Sequence, residues 1–199
     1  MTTLVYGGAA SGKSEYAEGL AEAAFAAAGP ESALRYIATM TASDEESRER
    51  ITKHRDRRVG KDYRTVECAG ADALLAFAET VDGRDVLLLD DVGNLVANEL
   101  FPPAEAWTGD PEPLSEDELR DTVGRLATPF ATLQARSRDL VIVTNDIFGD
   151  RLPGETVPAG VDNYQKVLAG LNIALAARAD RVVEVVAGLP LDRKGGEQQ

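Results

Sequence analysis

The chain has 199 residues, 44% of them apolar, and a formal net charge of −13. That length bounds it to one domain with at most a small appendage, the apolar share suffices for a core, and the negative charge argues against a nucleic-acid or anionic-membrane surface, since both need a positive field. A single cysteine, Cys68, excludes an intrachain disulfide, and no apolar run approaches the ~20 residues of a membrane span, so a soluble, cytoplasmic protein without membrane insertion is expected.

In chain order, strand signals fall at Thr3–Tyr6, Leu34–Ala38, Arg64–Glu67, Asp85–Leu89, Leu140–Thr144 and Arg181–Val186. Helical stretches lie between them, near 13–28, 44–58, 71–80, 92–100, 115–136 and 163–178. This alternation predicts a three-layer α/β fold, a mostly parallel sheet with helices on both faces. Val86-Leu87-Leu88-Leu89 and Leu140-Val141-Ile142-Val143 are apolar without alternation, the pattern of strands buried on both faces. The Ala-rich helix 13–28 ends at Gly29-Pro30. Residues 102–113, with Trp107-Thr108-Gly109, read as a Pro/Gly loop, and a polar tail is expected over 193–199, after a domain spanning 1–192.

Between the first strand and the first helix lies Gly7-Gly8-Ala9-Ala10-Ser11-Gly12-Lys13-Ser14, the P-loop pattern G-x-x-x-x-G-K-[ST] in its strand–loop–helix context. Such a loop points backbone N–H groups at phosphate oxygens, and the helix that follows adds its positive end. Lys13 then reaches the β/γ-phosphates of a nucleoside triphosphate and Ser14 holds Mg²⁺ through its hydroxyl. The loop's partner is an acidic residue at the end of a second buried strand. Asp90 directly follows an apolar run and is the first choice, with Asp91 in reserve; the alternative is a strand-end carboxylate capping the next helix. Thr39 and Asn145, at other strand ends, read equally as phosphate or metal-water donors and as turn residues.

The stretch 41–58 is charged throughout. Ser43 is the expected N-cap, with Glu46 closing a capping box, and Glu46/Arg50 and Glu49/Lys53 are spaced to pair along the helix. Ile51 is nearly its only large apolar residue, so the helix is expected to be mostly exposed. Eight of the chain's 21 Lys and Arg fall within positions 48–64, around the only histidine, His54. A solvated charged face with an incidental histidine is one reading. The other makes His54 a nucleophile at an α-phosphate, kept neutral by the cations around it, with the arginines neutralising phosphoryl charge.

The P-loop, Tyr36-Ile37-Ala38-Thr39, Arg50-Ile51-Thr52-Lys53-His54-Arg55-Asp56-Arg57-Arg58, Thr65-Val66-Glu67, Val96-Ala97-Asn98-Glu99-Leu100-Phe101, Val143-Thr144-Asn145-Asp146 and Val186-Ala187-Gly188-Leu189-Pro190-Leu191 together resemble the bifunctional adenosylcobinamide kinase / adenosylcobinamide-phosphate guanylyltransferase family. The resemblance implies a RecA-like P-loop NTPase fold and a homotrimer. It implies two reactions: phosphorylation of a corrinoid, adenosylcobinamide, by ATP or GTP with Mg²⁺, then transfer of GMP from GTP through an enzyme histidine. The family's guanylylated histidine falls on His54, and Lys13 is the second catalytic position. Nucleotide contacts fall on Gly7, Gly8, Ala9, Ala10, Ser11, Gly12, Lys13, Ser14, Ala38, Thr39, Met40, Arg55, Asp56, Arg57, Arg58, Glu67 and Asp90. The chain departs from the family pattern at Ile147-Phe148-Gly149-Asp150-Arg151, where a glycine-rich run is expected, and at Gln165-Lys166, where an Arg-Asp pair is expected. A single-activity small-molecule P-loop kinase and a non-catalytic GTP-binding protein remain alternatives.

Overall fold

The computed structural model describes every residue except 43–44, 102–108, 148–156 and 197–199. The expected Ser43 cap and its capping box, the Trp107 part of the loop, and the departure at 148–151 therefore lie outside the described residues.

Seven strands form one sheet in the order β3-β2-β4-β5-β1-β6-β7. They are β1 (Thr2–Gly7), β2 (Leu34–Ala38), β3 (Tyr63–Glu67), β4 (Val86–Asp90), β5 (Asp139–Asn145), β6 (Arg181–Val186) and β7 (Leu189–Lys194). All neighbouring pairs are parallel except β6–β7, an antiparallel hairpin. The helices are α1 (Lys13–Ala26), α2 (Glu45–Arg58), α3 (Ala71–Ala78), α4 (Val92–Leu100), α5 (Glu116–Arg136) and α6 (Ala159–Arg178). β5 lies between the P-loop strand β1 and the acidic strand β4, so the sheet is of the RecA-like P-loop type.

The apolar strands divide their side chains between two cores. Leu87, Leu89, Leu140 and Ile142 face α3, α4, α5 and α6. Val86, Leu88, Val141 and Val143 face α1, where the small Ala17 and Ala21 let the helix sit close against the sheet. Parallel strands covered on both faces read as unbroken apolar runs for this reason. α5 starts where Ser115 and Glu118 close a capping box. α6 begins at Ala159, earlier than the expected 163, because the Asp110 carboxylate accepts from the free N–H groups of Ala159 and Gly160 at 2.7 and 3.0 Å.

Two corrections concern the C-terminal end. β7 is a strand beyond the six expected from sequence, and it runs through Lys194, into the stretch expected to be tail. Its residues are all exposed, and an edge strand with no buried face has no apolar alternation to announce it. No described helix is long and apolar enough to cross a membrane.

Candidate active site

The carboxyl ends of β1, β2, β4 and β5 and the inner side of α2 enclose a cleft of ≈ 950 Å³. In such sheets the loops beyond the strand ends are where the helices diverge and leave room for a ligand. The P-loop forms its floor. Gly12, the N-cap of α1, adopts φ 89°, and no side chain caps the helix start, so its first N–H groups remain open to an anion. Lys13 is buried beside Asp90 and Asp91, and its Nζ donates to Gly8 O at 3.1 Å. Burial pulls its ammonium below the ordinary value, against the opposing pull of Asp91 and Asp90.

Asp90 and Asp91 divide the two roles that the sequence left open. Asp91 caps α4, accepting from Asn94 N at 2.8 Å. Asp90 turns to the cleft. Ser14 Oγ donates to its Oδ1 at 3.4 Å, Tyr36 Oη donates to its Oδ2 at 3.1 Å, and His54 Nδ1 lies 3.5 Å from Oδ2. Burial works to raise this carboxyl, but the His54, Tyr36 and Ser14 contacts outweigh it and hold it below the usual carboxylate range. Asp91, buried next to the Asp90 charge, is pushed the other way.

The Ser14–Asp90 pair suits Mg²⁺. Both supply hard oxygen donors, they stand within hydrogen-bond distance beside the phosphate cradle, and Asp90 is held ionised. No group of three or more His, Cys, Asp or Glu stands ready as a metal cage among the described residues. Mg²⁺ needs none, because one or two carboxylates with substrate phosphates complete its shell.

α2 reaches the cleft by polar contacts. Arg57 Nη2 donates to buried Glu18 on α1 at 3.0 Å, and Lys61, just beyond the helix, pairs with Glu22 at 2.6 Å. The Arg58 guanidinium lies 3.5 Å from the Tyr36 ring centroid and is only 8% exposed. Arg55 Nη2 donates to Glu67 Oε1 at 3.1 Å. The outer residues of the helix are exposed as expected, but its inner face is held in the wall of the site. His54 has a mixed neighbourhood: Arg57 Nη2 lies 3.3 Å from the same Nδ1 that faces Asp90. Along the sequence His54 has mainly cations around it, and the β4 carboxylate arrives from far along the chain.

Of the residues singled out from sequence, Ala9, Ala10, Ser11, Gly12, Lys13, Ser14, Ala38, Met40, His54, Arg55, Arg57, Arg58, Glu67, Asp90 and Asn145 line the cleft. Gly7 lies behind the loop, in β1, and Gly8 is exposed at its edge. Asp56 is exposed on the other side of α2, in a surface groove with Glu45, Glu49 and Thr52. Thr39 is fully buried and bonds the backbone of Asp91. Its Oγ1 donates to Asp91 O at 2.7 Å and accepts from Asp91 N at 2.9 Å, deep in the protein. Two residues that shape the site had no role assigned from sequence. Glu18 is a carboxylate on the buried stripe of an Ala-rich helix, which was a readable signal. Tyr36 looks like any strand aromatic until Asp90 and Arg58 are seen on either side of it.

A profile of the cobinamide kinase / cobinamide phosphate guanyltransferase family matches residues 3–193. The chain is 31% identical to the bifunctional adenosylcobalamin biosynthesis protein CobU of Salmonella typhimurium, over 95% of this chain and 97% of that one. It is 35% identical to the bifunctional adenosylcobalamin biosynthesis protein CobP of Pseudomonas aeruginosa, over 98% of each. Among solved structures it is similar to the flagellar accessory protein FlaH from Methanocaldococcus jannaschii, with TM-score 0.46 and 13% identity over 100% of this chain and 81% of that one. It is also similar to the RadB recombinase, with TM-score 0.45 and 11% identity over 92% and 73%.

Proposed function

The chain belongs to the cobinamide kinase / cobinamide phosphate guanyltransferase family, bifunctional enzymes of cobalamin biosynthesis, and on that premise we propose that it phosphorylates adenosylcobinamide and then guanylylates the product through His54. The observation that carries this reading is the meeting of His54 with Asp90 inside the P-loop cleft: an imidazole lines the same cleft as the phosphate loop, which supports its reading as the nucleophile.

In the kinase step the open N–H groups at the start of α1 and the Lys13 ammonium hold the β- and γ-phosphates of the nucleoside triphosphate. Ser14 and Asp90 would hold Mg²⁺, which when bound would supply charge neutralisation to the polyphosphate. The γ-phosphoryl passes to the aminopropanol hydroxyl of adenosylcobinamide, and the nucleoside diphosphate leaves.

In the second step the reacting tautomer carries its proton on Nδ1, toward Asp90, with the Nε2 lone pair free for the α-phosphorus of GTP; in that tautomer Arg57, which can only donate, keeps its bond to Glu18 and makes none to Nδ1. A P–N bond forms, the bond to the bridging oxygen breaks, and pyrophosphate departs. A phosphate oxygen of adenosylcobinamide phosphate then attacks the same phosphorus, the P–N bond breaks, and His54 returns to its starting state as adenosylcobinamide-GDP forms. Arg55, Arg57 and Arg58 neutralise the charge on the phosphoryl oxygens.

The test is covalent labelling. Incubation with Mg²⁺ and GTP labelled at the α-phosphate, followed by denaturation and peptide mapping, is expected to leave acid-labile, base-stable label on His54. The γ-labelled nucleotide is expected to leave none, and so is the His54→Ala variant. A protein that binds GTP and keeps no label would sink the covalent mechanism and leave a simple kinase or a GTP-binding protein.

A further inference from the structure

The β6–β7 hairpin lies against the back of the P-loop at both glycines of the motif. At Gly7, a Cβ would come within 2.5 Å of Val185 O, and at Gly12 within 3.2 Å of Gly188 Cα. Gly7 therefore excludes a side chain because of the hairpin, and at Gly12, already at a positive φ of 89°, the hairpin turn would have to give by a few tenths of an ångström, quite apart from any phosphate. The turn joining the two strands is Ala187-Gly188, with φ of 50° and 82°, the left-handed pair that a two-residue hairpin turn needs. From that turn Gly188 N donates to Ser11 O at 2.8 Å. Ser11 Oγ, buried in the same place, has no hydrogen-bond partner among the described residues.

A trans peptide points its C=O and N–H in opposite directions. A Ser11 carbonyl held toward the hairpin therefore turns the Gly12 N–H away from it, to the cleft that Gly12 lines on its other side. We propose that Gly188 is a positioning residue of the phosphate site, its N–H fixing the Ser11–Gly12 peptide so that Gly12 presents its N–H to the polyphosphate of a nucleoside triphosphate. Without that bond the peptide is free to flip and put a carbonyl oxygen where the anion binds. The inference rests on the P-loop reading of the proposed function and adds the last hairpin of the chain to the site.

The test compares Gly188→Val with Gly188→Asn in the full-length protein. A β-branched side chain disfavours positive φ, whereas Asn tolerates it and keeps the N–H. A Cβ at 188 meets nothing within 4 Å, so the effect of either change is on the turn alone. Gly188→Val is expected to weaken GTP ~10-fold and inorganic tripolyphosphate by the same factor, and Gly188→Asn to stay within ~2-fold of the parent. In steady state the loss is expected in KM, with kcat retained. Unchanged binding by Gly188→Val would overturn the proposal, and so would a loss for GTP that tripolyphosphate does not share. If Gly188→Val fails to fold, Gly188→Ala serves with the same sign and a smaller effect. Failure of the P-loop reading is distinguishable: the parent protein would then bind GTP no better than its Lys13→Ala variant.

Discussion

His54 and Asp90 meet across the cleft, Nδ1 to Oδ2 at 3.5 Å, although one sits on a helix with almost no apolar surface and the other ends a fully buried strand. The helix is anchored by its charges instead. Buried Glu18 receives Arg57, the Tyr36 ring carries Arg58, and Asp90 faces His54. Contacts of this kind hold a geometry only while each polar group keeps its partner. The site's chemistry and its local stability are therefore probed by the same substitutions.

Asp90→Asn is expected to lower Mg²⁺-dependent turnover by ~10²-fold or more, because the change removes the carboxylate charge that Ser14, Tyr36 and His54 share. A Mg²⁺ titration of activity checks it. Full activity with unchanged Mg²⁺ dependence would remove Asp90 from the metal role. The Asp90 carboxyl lies below its ordinary value, so its contribution to stability is present above ~3.9 and is lost as pH falls through the folded-state value.

Tyr36→Phe deletes the donor to Asp90 and leaves the ring beneath Arg58. A loss of about 2 kcal/mol is expected from the missing hydrogen bond to a charged acceptor, with little change at Arg58. Tyr36→Leu removes the ring as well and is expected to cost a further ~1–2 kcal/mol. Urea unfolding of the two variants gives both numbers, and equal losses would mean that the ring does nothing for Arg58.

Glu18→Ala strands the Arg57 guanidinium and is expected to destabilise the fold by about 2 kcal/mol, less than a fully buried pair because 34% of the Arg57 side chain stays in water. Glu22→Ala, at a half-exposed partner of Lys61, is expected to cost under ~1 kcal/mol. Denaturant midpoints separate the two. A Glu18→Ala effect as small as that of Glu22→Ala would show that α2 is not anchored at Arg57.

Asp91→Asn is expected to stabilise the protein near neutral pH. Burial and the adjacent Asp90 charge raise the Asp91 carboxyl, so the folded state holds that proton more tightly than the unfolded chain. Its contribution is fully present below the unfolded value of ~3.9 and is lost as pH rises through the folded value. Asparagine is neutral throughout and remains a good cap for Asn94 N. Thermal midpoints measured against pH are expected to favour the variant at neutral pH and to converge in acid. A gap that is constant with pH would contradict this sign.

The phosphate side of the site was legible because its information is local. Gly7 to Ser14, the strand before them and the helix after them form one contiguous unit, and Val86-Leu87-Leu88-Leu89-Asp90 states its own burial. The histidine side was not. Nothing within a few residues of His54 announces Asp90, and nothing near Tyr36 announces Arg58; these contacts exist because β2 and β4 are neighbours in the sheet and α2 leans over their ends. Asp90 ranks ahead of Asp91 in the sequence because it directly follows the apolar run, and the helix start at Val92 makes Asp91 the residue that caps α4.

By itself the sequence determined the α/β class, the P-loop and the family, since hydrophobic period, a glycine–lysine motif and long-range identity are all properties of residues in order. The tertiary structure alone decided that a charged helix is anchored by buried partners and that Thr39 serves the backbone of Asp91. It also decided that the turn between buried β6 and exposed β7 reaches the phosphate loop through Gly188. The physical reason is common to all three. A polar contact between distant segments is specified by where the sheet brings them, and its energy leaves no period in the sequence of either partner.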